Sequence, residues 1–329
     1  MNQTNKKIVK PYSIISLFAG CGGLDLGFVG GFDFLGKRYE KRNFEIAWAN
    51  DIDESACVTF RNYFNEEIVC GDIRKILDDK HNPRYFEKPL PQKADIVLGG
   101  FPCQDFSHAG KRKGFDSKRG LLYQSMAEVI KRVQPVLFIA ENVRGLLTMN
   151  NGEAIQTIVK DFEKLGYHVV YKLLTAADYG VPQTRQRVII VGTRKDKLPP
   201  FEHPKPILEE KDWVSLKQAI GDLEILEEGK IANHYWSKAK KNNGQGNSVV
   251  SADKPGPTMR TEHHGNIEYH WNGIRRLSAR EAARIQSFPD DFIFLPSTSS
   301  AYKQIGNAVP PVMGWHIAGA VQKFLDKYY

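Results

Sequence analysis

"SIISLFAGCGGLDLGF", residues 13–28, is the stretch that indicates the fold most directly. An apolar run leads into a glycine-rich turn and then an amphipathic segment, which predicts a β-strand, a tight turn and an α-helix. Backbone N–H groups in such a turn can approach a carboxylate-bearing ligand, although a turn without function has the same pattern. The dinucleotide motif G-x-G-x-x-G is not met, because Asp25 occupies its third glycine position. The turn therefore indicates an α/β protein and argues against NAD.

The same alternation of strand and helix patterns continues to residue 193. Helices are predicted within 22–30, 53–64, 121–133 and 152–166, and strands within 13–20, 44–51, 66–72, 94–100, 136–142, 168–174 and 187–193. This order predicts an α/β fold with a mostly parallel sheet covered by helices. Most of the strands end in Gly, Asp or Asn, and ligands of open α/β sheets bind at the carboxyl ends of the strands. We therefore expect one site at that edge.

A change of composition follows residue 194. Residues 195–272 are rich in Pro, Asn, Gly, Lys and His and have weak periodicity, which predicts a loop-rich module. A helical pattern follows at 278–288, and the last part of residues 304–325 is amphipathic. We predict a larger domain formed by residues 1–193 and 301–329, with the C-terminal helix packed back on it, and a smaller irregular domain formed by residues 194–300.

Acidic residues end the second and third predicted strands. Asp51 lies in "AWANDID" and Asp72 in "VCGDI". A carboxylate at the second strand can accept hydrogen bonds from both hydroxyls of a ribose, and one at the third can accept an exocyclic amine. Either residue alone could instead cap a helix. Together with the glycine turn, they predict a ligand that contains a nucleoside.

Cys103 follows the fourth predicted strand in "GGFPCQ". A single cysteine is usually an inert apolar residue. Here Gly99, Gly100 and Pro102 predict a tight turn, and the loop beyond is rich in Lys and Arg, which favours the reactive thiolate. These features make Cys103 a candidate nucleophile beside a loop basic enough to contact phosphates, the alternatives being an inert thiol and a solvated surface loop.

Four more polar side chains lie near later strands of the predicted sheet. Glu141 directly follows the apolar run "VLFIA", so it should be paired or employed in chemistry, for example by donating a proton or a hydrogen bond to a ring nitrogen. In "QTRQR" the alternation of Gln183, Arg185 and Arg187 places the three side chains on one face of the strand entry, and two arginines on one face suit an anionic ligand.

Together these segments resemble the DNA (cytosine-5) methyltransferases of bacterial restriction-modification systems. The resemblance runs from about residue 13 to the C-terminus in the family's order, through "FAGCGG", "NDID", "GDI", "GGFPCQ", "ENV", "QTRQR", "RRLSAREAARIQSFP" and "QIGNAVPP". The combination of "PCQ", "ENV" and Q-x-R-x-R is highly specific. The D/N/S-P-P-Y/F tetrapeptide of enzymes that methylate exocyclic amines does not occur in the chain. The resemblance implies a Rossmann-like S-adenosylmethionine-dependent methyltransferase domain and a smaller, irregular target-recognition domain.

The resemblance implies S-adenosylmethionine as methyl donor and S-adenosylhomocysteine as product. Phe18 would stack on the adenine, Asp51 would hold the ribose and Asp72 the adenine amine, although many members have Glu in place of Asp51. The glycines of the turn would approach the methionine part. The implied cofactor-binding set is Phe18, Ala19, Gly20, Gly22, Gly23, Leu24, Asp51, Ile52, Asp72, Ile73, Pro102, Asn307 and Ala308.

The family's chemistry gives each catalytic residue a role. Cytosine C5 is a poor nucleophile, so the Cys103 thiolate would first add to C6 of a flipped-out base. Glu141 would contact N3 and the exocyclic amine, and the two arginines would hold the O2 side. The implied catalytic set is Cys103, Gln104, Glu141, Arg185 and Arg187, and no metal is expected.

DNA contacts are expected from two parts of the chain. The basic loop after Cys103 would close over the extruded nucleotide. In the target-recognition region, "PTMRTEHHGN" offers donors and acceptors for base edges, and Thr258 with Met259 weakly resembles the family's Thr-aliphatic pair. The expected DNA-binding residues are Ser107, Lys111, Arg112, Lys113, Arg119, Arg260, His263 and His264.

Composition adds weaker expectations. The 329 residues carry a formal net charge of +8, which favours a polyanionic partner, and the four cysteines have neither zinc-site spacing nor disulfide density. Without a signal peptide or membrane span, we expect a cytoplasmic bacterial monomer that binds double-stranded DNA and functions beside a cognate restriction endonuclease. A transfer RNA cytosine-5 methyltransferase and a non-catalytic DNA-binding regulator with this fold remain as alternatives.

Overall fold

The computed structural model describes residues 10–78, 88–101, 122–240, 246–261 and 267–329. Its strands are β1 (Tyr12–Leu17), β2 (Phe32–Phe34), β3 (Lys37–Tyr39), β4 (Phe44–Asp51), β5 (Val69–Cys70), β6 (Ile96–Gly99), β7 (Leu137–Val143), β8 (Tyr167–Thr175) and β9 (Gln186–Arg194). Its helices are α1 (Gly23–Val29), α2 (Glu54–Phe64), α3 (Ile73–Leu77), α4 (Leu122–Val133), α5 (Glu153–Lys164), α6 (Leu216–Ile220), α7 (Ala279–Ile285), α8 (Thr298–Asn307) and α9 (Pro311–Tyr328).

A seven-stranded sheet forms the centre of the protein, in the order β5-β4-β1-β6-β7-β9-β8. The pairs β1–β4, β1–β6, β4–β5 and β6–β7 are parallel, whereas β9 runs antiparallel to both of its neighbours, β7 and β8. The predicted α/β class with a mostly parallel sheet is confirmed. All seven predicted strands are present in the sheet, and β9 enters it antiparallel because it follows β8 through a short connection.

The inner strands are apolar on both faces, as expected where helices cover both sides of a sheet. Successive residues of β1 enter different clusters: Ile14 packs on one face and Ile15 on the other, and both are fully buried. Helices α4 and α5 cover the second face, whereas α1 and α9 cover the first. Full burial of each such isoleucine contributes about 1.5–3 kcal/mol.

The C-terminal helix packs closely on the first helix of the chain. A Cβ on Gly27 of α1 would lie 2.7 Å from the Cα of Gly314 in α9, so the two backbones meet where neither residue has a side chain. The contact places the segment before α9, residues 303–309, next to the glycine turn that precedes α1. Segments near the two ends of the chain therefore lie side by side at one edge of the sheet.

Residues 195–300 contain little regular structure among the described positions, chiefly α6, α7 and short 3₁₀ turns. Some of their apolar side chains, such as Ile220 and Ile285, are fully buried in the same cluster as Ile189 of β9. The domain boundaries at residues 194 and 300 stay a prediction. The hairpin β2–β3 and the helices α3, α6 and α8 were not predicted.

Candidate active site

A cavity of about 1230 Å³ opens at the carboxyl ends of the parallel strands, where the sequence places its polar residues. It is lined by the turn after β1, the ends of β4 to β7, residues 258–261 and residues 303–309. The predicted site residues that line it are Phe18, Ala19, Gly20, Gly23, Leu24, Asp51, Ile52, Asp72, Ile73, Glu141, Arg185, Arg187, Arg260, Asn307 and Ala308. The structure therefore brings eleven of the thirteen expected cofactor residues and three expected catalytic residues into one cleft.

Other predicted residues lie elsewhere. Gly22 is not among the cavity-lining residues: a Cβ there would lie 2.3 Å from the Phe64 ring, so this glycine faces the packing of α2. Ten predicted positions lie outside the described residues: Pro102, Cys103, Gln104, Ser107, Lys111, Arg112, Lys113, Arg119, His263 and His264.

The turn after β1 has an unusual backbone. Phe18 adopts φ 54° and Gly20 φ 57°, a left-handed conformation that is unfavourable for a residue with a side chain such as Phe18. The conformation is held because the Ala19 N–H donates to the Asn50 carbonyl at 3.0 Å and the Gly20 N–H donates to Asp51 Oδ2 at 2.7 Å. A Cβ on Gly20 would have no atom within 4 Å, so one side of the turn is open. These contacts fix an open cradle at the end of β1.

Asp51 is not a helix cap. Its second oxygen accepts the Asp53 N–H at 2.8 Å, and it is Asp53 that caps α2 through the Ser55 and Ala56 N–H groups. Burial raises the pKa of the Asp51 carboxyl, and its backbone hydrogen bonds oppose that rise. Because each carboxylate oxygen has two acceptor sites, Asp51 keeps accepting capacity for a ligand hydroxyl.

Asp72 is a helix cap as well as a cavity-lining residue. Its Oδ1 accepts the Arg74 N–H at 3.0 Å at the start of α3, and the Arg74 guanidinium reaches Oδ2 at 2.5 Å. Hydrogen bonding to Arg74 lowers the pKa of Asp72. An adenine amine that bound Asp72 as expected would therefore share this carboxylate with Arg74.

Glu141 and Arg187 form a buried ion pair across neighbouring strands. Arg187 Nε lies 2.6 Å from Glu141 Oε1, and the two side chains are only 10% and 11% exposed. Burial lowers the pKa of Arg187, and the charge of Glu141 opposes that shift. Gly100 is needed beside the pair for space, since a Cβ would lie 3.0 Å from Glu141 Oε2. No positive φ is required at Gly99 or Gly100.

Arg185 connects distant segments rather than facing an anion. Its two terminal nitrogens donate to the Met259 carbonyl at 3.0 Å and to the Gly306 carbonyl at 2.9 Å, and only 1% of the residue is exposed. Burial, together with the charge of Arg187, lowers its pKa. Arg185 Nε has no hydrogen-bond partner among the described residues. The two arginines were predicted to share one face that suits an anionic ligand. Most of their contacts are instead with other groups of the protein.

The sequence did not predict the contacts by which Asn142 and Gln183 hold the cleft together. Asn142 Nδ2 donates to the Phe101 carbonyl at 2.9 Å, which ties "ENV" to the last described residue before Cys103. Gln183 donates to Gln286 Oε1 at 2.5 Å and accepts the Met259 N–H at 3.0 Å. Only the polarity of these residues inside apolar stretches could have indicated such roles.

Residues 258–261 reach the cleft through their backbone. Thr258, Met259 and Arg260 all line the cavity, although Met259 is only 1% exposed and also packs in the core. A Cβ on Gly306 would lie 2.4 Å from the Arg260 carbonyl oxygen, so the two segments approach as closely as backbones can. Both residues of the weak Thr-aliphatic resemblance therefore lie at the cavity.

Two of the described cysteines are poor nucleophiles. Cys21 and Cys57 are buried, and burial raises the pKa of both thiols. Over the described ranges, no group of three or more His, Cys, Asp or Glu side chains is arranged to hold a metal ion. Among these residues, no helix is long and apolar enough to cross a membrane.

Comparison with known proteins is consistent with this geometry. The family model described as C-5 cytosine-specific DNA methylase matches residues 12–254 and 230–323. The chain is 38% identical to the Type II methyltransferase M.NgoFVII of Neisseria gonorrhoeae, in an alignment that covers 94% of this chain and 86% of the relative. It is 36% identical to M.NgoPII of the same organism, covering 99% of this chain and all of the relative.

Solved structures share the fold at low identity. The Entamoeba histolytica methyltransferase EhMeth has a TM-score of 0.69 and 17% identity, with 96% of this chain and 99% of that chain covered. The S. pombe Dnmt2 methyltransferase has a TM-score of 0.64 and 15% identity, with 97% and 99% covered. Sequence and structure comparisons therefore agree over nearly the whole length.

Proposed function

This chain belongs to the C-5 cytosine-specific DNA methylase family and is a DNA (cytosine-5) methyltransferase, and from that premise we propose its cofactor, its mechanism and its cellular role. It transfers the methyl group of S-adenosylmethionine to C5 of a flipped-out cytosine in a specific double-stranded DNA sequence, through a covalent bond between Cys103 and C6. The observation that carries the proposal is the single cleft shared by Asp51, the glycine turn and the Glu141–Arg187 pair.

The cofactor end of the cleft fits S-adenosylmethionine. The cradle beside Gly20 is open, Asp51 retains acceptor sites for ribose hydroxyls, and Phe18 lines the cavity with an aromatic ring. S-adenosylmethionine supplies an activated methyl group there. Ile52, Ile73, Asn307 and Ala308 also line this end and would enclose the nucleoside.

The other end of the cleft suits a cytosine ring. One Glu141 oxygen would accept a hydrogen bond from the exocyclic amine, and the other, when protonated, would donate one to N3. The contact with Arg187 would fix the carboxyl group where charge develops in the ring. Arg185 Nε, unpartnered within the described part of the chain, is a donor for the O2 side. A cytosine can reach these groups only after leaving the duplex stack.

The covalent sequence conserves atoms and charge. The Cys103 thiolate would add to C6, and C5 would then take the methyl group as the sulfonium–methyl bond breaks and S-adenosylhomocysteine is released. A water molecule would carry the C5 proton to solvent, and the C–H electron pair would re-form the C5–C6 double bond and expel the thiolate. Asn142 supports this step indirectly, because it fixes the Phe101 carbonyl two residues before Cys103 in the sequence. Gln104 and the basic residues after it would close over the base.

A cellular role follows from the relatives. The proteins at 34–38% identity are Type II methyltransferases of bacteria, among them M.BsuRI of Bacillus subtilis. We infer that this enzyme protects host DNA from a cognate restriction endonuclease in the bacterial cytoplasm and acts as a monomer. Arg260, at the cavity rim, is the described residue best placed to contact DNA, with His263 and His264 expected nearby in the sequence.

The test is methyl transfer with a labelled donor to duplex DNA and, in parallel, to transfer RNA. Labelled 5-methylcytosine in DNA alone, followed by bisulfite sequencing that finds it in one sequence context, is the expected result. Transfer to RNA and not to DNA would assign the chain to the transfer RNA enzymes. DNA binding without any turnover would favour a non-catalytic regulator.

A further inference from the structure

Asp25 is a buried carboxylate that the chemistry described so far does not use. It lies in the first turn of α1, is 1% exposed, and lines the cleft. Neither of its oxygens meets hydrogen-bond geometry with a described residue, although the Ser16 hydroxyl and the Asp25 backbone N–H lie near enough to lower its pKa. Buried carboxylates are normally paired or hydrogen-bonded, so this one indicates a partner that binds from the cleft.

The surroundings of Asp25 include no described cation to pair with it. Burial raises the pKa of its carboxyl to about 6, an effect that the nearby Ser16 hydroxyl and its own backbone N–H partly oppose and that the charge of Asp51 reinforces. Cys21, the other titratable group whose shift involves Asp25, stays neutral because burial raises its pKa. Near neutral pH Asp25 is therefore mostly ionised and unneutralised by the described chain.

We propose that Asp25 is a further cofactor-binding residue, whose carboxylate accepts hydrogen bonds from the α-ammonium group of the methionine part. The inference rests on the proposed use of S-adenosylmethionine. An ammonium offers three donors and a positive charge, which match two unpartnered oxygens and a negative charge. The sulfonium has no N–H to donate. The ribose and adenine have acceptors elsewhere, at Asp51 and Asp72.

The assignment predicts which ligands lose affinity when the charge is removed. Calorimetry would compare Asp25→Asn with the wild-type protein for S-adenosylhomocysteine, S-adenosylmethionine and 5′-methylthioadenosine, which lacks the amino-acid part. We expect Asp25→Asn to weaken both full-length ligands by roughly tenfold or more and to leave 5′-methylthioadenosine unchanged, since a lost charge-assisted hydrogen bond is on that scale. Asp51→Asn serves as the matched comparison, because a lost ribose contact should weaken all three ligands.

Other outcomes would overturn the assignment. Unchanged affinity for S-adenosylhomocysteine, an equal loss for 5′-methylthioadenosine, or a loss confined to S-adenosylmethionine would each exclude the ammonium contact. Failure of the wild-type protein to bind any of the three ligands would instead refute the proposed cofactor.

Measuring ligand affinity of the wild-type protein as a function of pH tests the proposal without relying on the folding of the Asp25→Asn variant. Asp25 becomes neutral below pH 6, so the affinity for S-adenosylhomocysteine should fall from pH 7 to pH 5 relative to that for 5′-methylthioadenosine. Dividing the two affinities cancels the titration of Asp51, which faces the ribose of both ligands. A ratio that stays constant over this range would contradict the proposal.

Discussion

Replacing Glu141 by Gln tests the ion pair at the centre of the proposed cytosine site. The substitution preserves the shape of the side chain but leaves Arg187 as a buried charge without its partner, 2.6 Å away in the native protein. At an effective dielectric constant of about 20, two unit charges at that distance attract by about 6 kcal/mol, partly offset by desolvation. Loss of one partner of a buried pair therefore lowers the free energy of unfolding by about 3–5 kcal/mol.

The matched experiment removes both charges. Arg187→Met leaves Glu141 unpaired and should be similarly destabilising, whereas the double variant Glu141→Gln/Arg187→Met contains no uncompensated charge and should regain most of the lost stability. Methyl transfer should be abolished in both single variants and in the double variant, because each lacks a group that we propose to contact the cytosine. The assays are denaturant-induced unfolding and transfer of a labelled methyl group to duplex DNA.

Two results would refute this reasoning. If the destabilisation of the two single variants simply adds in the double variant, the pair is not energetically coupled. If activity returns together with stability, Glu141 and Arg187 support the fold and not the reaction.

Three further predictions concern the nucleophile, its support and the contact between distant segments. Cys103→Ser should lose methylation while DNA and S-adenosylhomocysteine still bind, which gel-shift and calorimetric measurements would check; methylation near the native level would exclude Cys103 as the nucleophile. Asn142→Ala should lower kcat by roughly 10- to 100-fold with little change in KM, since it frees the Phe101 carbonyl that precedes the nucleophile; steady-state kinetics with an unchanged kcat would contradict this. Gly306→Ala should lower stability by about 1–3 kcal/mol because its Cβ would lie 2.4 Å from the Arg260 carbonyl oxygen. The control Gly221→Ala, whose Cβ would meet nothing closer than 3.6 Å, should melt like the wild-type protein, and equal melting of both variants would argue against the close contact.

The sheet could be predicted from the sequence because its inner strands are continuous apolar runs. Ile14 and Ile15 are adjacent in sequence and buried on opposite faces, a pattern that only a strand covered on both sides explains. The hairpin β2–β3 was missed because each of its strands has three residues, too few to show a period. Helix α3 was missed for the same reason, since it has five residues.

The polar strand ends could be predicted as a site, but their partners could not. Asp51 and Asp72 have similar settings in the sequence, yet only Asp72 caps a helix, because the cap of α2 is supplied by Asp53. Arg185 and Arg187 are two residues apart, yet one holds backbone carbonyls from distant segments and the other pairs with Glu141. Such partners depend on chain segments more than 40 residues away, which no local pattern encodes.

The structural role of the glycines also could not be predicted from the local sequence. Gly99 and Gly100 indicated a tight turn, but the structure shows that Gly100 gives room for the Glu141 carboxylate and needs no left-handed backbone. In the sequence, Asp25 is notable only because it occupies the third glycine position of the dinucleotide motif. Its burial without a partner became visible once the fold placed it in the cleft.

The most direct test of the central claim is covalent trapping. The enzyme would be incubated with S-adenosylmethionine and a cognate duplex carrying 5-fluorocytosine at the target position, because fluorine at C5 blocks release of the thiol. We predict a stable protein–DNA complex whose tryptic peptide carries the methylated nucleotide on Cys103, as identified by mass spectrometry. Formation of 5-methylcytosine in normal duplex with no trapped complex, or with the nucleotide on another residue, would contradict the mechanism.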